Sequence, residues 1–179
     1  MNPGRPRRPP HSRTLIVADL LICLAWAGSV GAAAQVEAGP AVRTVALFLH
    51  LGALVLGLGS VLTVDYYGML WLLGRRSLRQ SLEFAGPLHV PVWTGLAGLV
   101  LSGIVLDPDP RAPLTRVKLV LVLLIALNGV HAQALHRTLG DQVSARPPRR
   151  LLVRGVISAV LSQLGWWGAV AIGFLNSQS

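Results

Sequence analysis

LHLGALVLGLGSVLTVDYYGMLWLL, residues 49–73, decides what this chain can be. Its 25 residues hold one carboxylate, Asp65, one imidazole, His50, and no Lys or Arg. A helix needs about 20 apolar residues to cross roughly 30 Å of hydrocarbon, and this stretch exceeds that. Extended back to residue 42, the segment 42–73 is long enough to tilt or to project beyond the bilayer. Gly52, Gly57 and Gly59 sit inside it. There they signal close helix packing rather than a phosphate-binding loop.

Working outward, four more apolar segments of membrane length follow the same pattern: 14–34, 87–106, 117–135 and 151–175. The third opens on Pro87 and Pro91, which suit a first turn or a kink and not a regular helix interior. The expected fold is all-α, an integral membrane bundle of five transmembrane helices. It forms one transmembrane domain, 14–175, between a basic tail, 1–13, and a short external tail, 176–179. The first segment has a competing reading as a signal peptide, with Ala32, Ala33 and Ala34 before Gln35 as a cleavage site. Its length and the interruption at Asp19 favour a retained helix. Cleavage would leave four helices in the same orientation.

Composition agrees. The 179 residues are 53% hydrophobic and 13% charged, with a mean hydropathy of +0.59. Soluble domains carry about 25% charged residues. The net charge of +9 remains to be placed. Four Arg lie in the tail, three in the connector at 75–79, and five between Arg137 and Arg154, so twelve of the sixteen basic residues fall on one side. Arg43, Arg111, Arg116 and Lys118 fall on the other, with Glu37, Asp107 and Asp109. By the positive-inside rule the N-terminus is expected to be cytoplasmic and the C-terminus external. Arginines spread over loops between membrane-length segments do not make a phosphate-binding face, so a nucleic-acid partner is excluded. The expected partner is the lipid bilayer, with a homo-oligomer or a larger membrane complex open beside it. Cys23 is the only cysteine, which excludes an intramolecular disulfide and a cysteine metal cluster.

Small residues mark the packing faces. Ser158, Ser162, Gly165, Ala169 and Gly173 form one stripe, Ala25, Ser29 and Ala33 a second, and Ala53 with Gly57 a third. Trp166 and Trp167 fall mid-segment and read as packing residues.

Ionisable groups at membrane depth are costly and are the default functional candidates. They are Asp19, His50, Asp65, His89 and His131. His136 lies beside Arg137 at a segment end and reads as solvated. At 1.5 Å per residue, Asp65 lies about 10 Å, His89 about 12 Å and His131 about 7 Å to the cytoplasmic side of their segment centres. Asn128, one turn from His131, is placed to orient it. His50 lies about 12 Å to the outer side. Three readings stay open. His89 and His131, with His50 as an outer alternative, could ligate haem b, or His89 and His131 with Asp65 could ligate a transition metal. Asp65 and Asp19 could instead carry protons in a small proton-coupled transporter or exporter subunit. Or these groups could only set helix register in a structural subunit without ligand. No phosphate loop, G-x-S-x-G, H-E-x-x-H or paired-Cys motif is present, so no catalytic residue is assigned.

Three stretches carry a resemblance: residues 49–73 above, VPVWTGLAGLVLSGIVL at 90–106, and KLVLVLLIALNGVHAQAL at 118–135. They resemble small bacterial multi-pass proteins of the copper-resistance D kind and the membrane haem type of protoporphyrinogen oxidase. The resemblance covers the second to fifth segments and implies a haem or metal role for His50 and His131. The sequence departs from it in lacking a Met-rich copper path, and its one Lys sits at a helix end.

Overall fold

A computed structural model describes residues 11–106, 111–141 and 147–176, and of residues 11 and 12 only the backbone. The charges expected at Arg5, Arg7, Arg8, Asp107, Asp109 and Arg146 and the end of the external tail fall outside the described residues. The protein is all-helical, and six helices occur among the described residues. They are α1 (His11–Ala33), α2 (Pro40–Leu72), α3 (Leu78–Ala85), α4 (His89–Val105), α5 (Pro113–Gly140) and α6 (Arg149–Asn176). Four of these are long and apolar enough to cross a membrane, and α3 with α4 makes a fifth span if the bent pair counts as one. The apolar side chains face outward: Phe48, Val55 and Val90 are each more than 70% exposed, while Trp166 alone is below 2%. That inversion of a soluble core is what lipid-facing helices require.

Local chemistry sets the ends of the helices. Pro40 and Pro113 open α2 and α5 at the first turn, where a missing N–H costs nothing. Gly74, at φ +69°, ends α2. From there the Gly74 N–H reaches the Trp71 carbonyl and the Arg75 N–H the Leu70 carbonyl, each at 2.9 Å, which is a Schellman closure. α3 is an addition to the expected five segments, because its stretch reads as a basic connector. A capping box between Ser77 and Gln80 starts it. Tyr67 stacks on Phe84 at 4.8 Å and Ser81 Oγ donates to the Tyr67 carbonyl, fixing α3 to the end of α2. Pro87 and Pro91 withhold two N–H groups from the junction, and the chain turns there through 41°. The expected third segment, 87–106, is thus met almost whole by α4, with the bend just before it and α3 upstream.

The long helices alternate in direction. α2 packs antiparallel on α4 with Gly57 against Gly95 and Ala53 against Gly98. α5 packs antiparallel on α6, with Gly165 against Ile125 and Gly168 against Leu121. α1 lies on α4 and α5, and the Trp26 indole donates to the Leu119 carbonyl at 3.0 Å. Trp166 plugs the centre among Leu58, Val61, Leu96, Ile125 and Ala126. Trp167 faces outward at 52% exposure, so only its neighbour is a core residue. The end where α1 starts is called proximal below, and the end where α1 finishes and α2 begins is called distal.

Candidate functional site

The polar residues expected at membrane depth divide into separate sites, and the pairs are not those expected from depth alone. In the proximal half, His131 Nε2 lies 3.2 Å from Asp19 Oδ2, joining α5 to α1. His89 has a different neighbour. At the start of α4 its ring meets that of His136 edge-on at 5.0 Å between centroids. His136 is half-buried there and not freely solvated. The expected facing pair of His89 and His131 is thus replaced by two pairs, Asp19 with His131 and His89 with His136. Asp19 Oδ1 and His89 Nε2 are buried without a hydrogen-bond partner among the described residues.

Asn128 does not orient His131. Its amide donates to the Ser158 carbonyl and its Oδ1 accepts from Ser158 Oγ, both at 2.9 Å, so both ends of the side chain clasp α5 to α6. Asp65 Oδ2 accepts from Gln163 Nε2 at 2.6 Å, and Gln163 Oε1 accepts from the Trp167 indole at 3.0 Å. This chain ties α2 to α6 and runs outward along α6. Among the described residues, no three His, Cys, Asp or Glu side chains gather as metal ligands.

The distal half holds a cavity of about 580 Å³. Every long helix contributes to its wall, which is apolar along Leu54, Leu96, Val122, Ile125, Trp166 and Val170. Its ionisable lining groups are His50 and Lys118. His50 Nδ1 lies 2.8 Å from Ser102 Oγ. The hydroxyl has one proton, and it goes to the Gly98 carbonyl one turn back. His50 Nδ1 is therefore the donor, which leaves the lone pair on Nε2. An imidazole fixed in this way through one nitrogen is oriented to ligate through the other. Lys118 has no hydrogen-bond or ion-pair partner among the described residues. A cation held in an apolar wall calls for an anion.

No family model, curated protein or solved structure matches this chain. The resemblance described above therefore rests on its own residues.

His50 and Asp65 were legible as intramembrane ionisable groups. Ser102 and Gln163 were not, because a serine or glutamine in an apolar helix has no meaning until its partner is placed. Lys118 counted as a loop-end charge, although it is the one lysine and lies inside the apolar run that α5 continues. His136 was assigned to solvent from its basic neighbour, a signal that the turn at Pro87 overrides.

Proposed function

We propose that this protein is a multi-pass protein of the bacterial inner membrane that binds haem b in its distal cavity and acts as a redox or accessory component. The observation that carries the reading is His50, fixed through Nδ1 by Ser102 in the wall of a cavity of about 580 Å³. Ligand pockets range over about 300–1,000 Å³, are mostly apolar and carry a few placed polar groups. Haem iron accepts an axial histidine. His50 would hold the iron and Lys118 would meet the acidic edge of the macrocycle, while the apolar wall excludes water. Bound haem would supply one-electron chemistry. Neither His89 nor His131 lines this cavity, so the ligand role moves to His50. A bare transition metal has no comparable support, since the donors do not converge.

The basic loops support a cytoplasmic N-terminus, which puts the cavity in the outer half of the membrane. Reporter fusions after residues 79, 109 and 179 test this. An external signal at 79 would overturn the orientation.

Haem binding is tested by visible spectra of the detergent-purified chain before and after dithionite. A Soret band that shifts on reduction, is lost in His50→Ala and persists in His131→Ala is the expected result. A flat spectrum from haem-supplied cells, or a band indifferent to His50→Ala, overturns it.

A second reading, a proton-coupled transporter using Asp65, is favoured by the 2.6 Å contact of that carboxylate with Gln163 across two helices. Under it, Asp65→Asn abolishes pH-dependent flux in proteoliposomes, and unchanged flux counts against it.

A further inference from the structure

The outward face of α5 and α6 carries a second, smaller feature that the haem reading does not use. Toward the proximal end these two helices enclose a groove of about 150 Å³. Its polar lining is Arg154, His131, Asn128 and Ser158, and Ile157 and Leu161 continue it along α6 toward the bundle centre. Asn128 and Ser158 are occupied with each other, and His131 with Asp19. Arg154 has an exposed side chain, is permanently charged, and has no ion-pair or hydrogen-bond partner among the described residues. It stands five residues inside α6, about 7.5 Å from the helix start. From that depth an arginine extends its head to the polar interface while its stem lies along apolar surface.

We infer that this groove binds one anionic phospholipid of the proximal leaflet, with its phosphate on Arg154 and an acyl chain along Ile157 and Leu161. Charge complementarity supports the occupant. Arg137, Arg149 and Arg150 lie at the same end of the two helices, the groove lining holds no carboxylate, and Asp19 is engaged by His131 through one oxygen. Basic pockets between transmembrane helices on the cytoplasmic side recognise lipid head groups in this way. Free phosphate offers the same anion but nothing for Ile157 and Leu161, both 53% exposed, to cover.

Native mass spectrometry of the delipidated full chain tests the site with phosphatidylglycerol, with phosphatidylcholine of the same acyl chains, and with inorganic phosphate as competitor. One phosphatidylglycerol is expected to be retained in clear preference to phosphatidylcholine. Arg154→Gln should lower that retention about five-fold, the worth of one basic contact at a membrane surface. Arg154→Lys should keep most of it, and Arg149→Gln, outside the groove, should change it less than two-fold. Equal retention of the two lipids, retention unmoved by Arg154→Gln, or displacement by phosphate alone would each overturn the proposal.

Discussion

Gly57 and Gly95 bring the backbones of α2 and α4 into direct contact. A methyl group built on Gly95 would stand 2.5 Å from the Gly57 Cα and 2.8 Å from the Ala53 carbonyl oxygen, and one on Gly57 would meet the Trp166 ring at 2.8 Å. Association in lipid depends on such close approach, because apolar burial contributes little there. Gly95→Ala should destabilise the bundle by about 1–3 kcal/mol, the usual cost of overpacking. Gly52→Ala, with open space around it, should be nearly neutral. Thermal unfolding in detergent checks the pair, and equal effects would show that the helices separate without strain.

The clasp between Asn128 and Ser158 makes a different prediction. Interhelical hydrogen bonds in membranes average about 0.6 kcal/mol each, so Asn128→Ala should cost about 1 kcal/mol through two lost bonds. Ser158→Ala should cost less, since the backbone carbonyl still accepts. Because Asn128 and Ser158 lie outside the distal cavity, neither substitution should alter the haem spectrum.

Ser102→Ala isolates the support of the axial nitrogen. Outer partners of ligating histidines typically change affinity 10–100-fold. Haem retention in this variant should fall within that range while the helices remain folded, read by Soret titration beside circular dichroism.

The link from Asp65 through Gln163 to Trp167 gives an optical readout. Asp65→Leu removes the acceptor and leaves the Gln163 amide to find another partner, which should shift the emission of Trp167. Asp65→Asn retains an acceptor oxygen and should shift it less. Trp167→Phe removes the signal and identifies its source among the five tryptophans.

The spans were legible because a membrane helix is declared by its own residues: length, apolarity and flanking charge suffice. α3 was less so, although S-x-x-Q at Ser77–Gln80 carries its cap, because the arginines around it draw the eye to a loop. The site divided along a physical line. Burying an ionisable residue is costly wherever it sits, so His50 and Asp65 stood out. Their partners depend on helix rotation and on the exact depth of each neighbour. α4 has nearly the bounds of segment 87–106, so depth along the helix does not account for the neighbour of His89; the rotation and register of α5 do. His131 met Asp19 instead because α1 packs on α5, a neighbour relation no single segment encodes.

The bend between α3 and α4 has a mechanical consequence. α4 has 17 residues and α2 has 33, so the two antiparallel partners measure about 25 Å and about 50 Å. One flank of the bundle is shorter than the usual hydrocarbon thickness, and the other is longer. α4 alone falls short of the bilayer, so α3 must complete that span at an angle, while α2 leans or protrudes. The two antiparallel partners therefore meet the same bilayer surface differently, one through a bent pair of helices and the other through a single long rod.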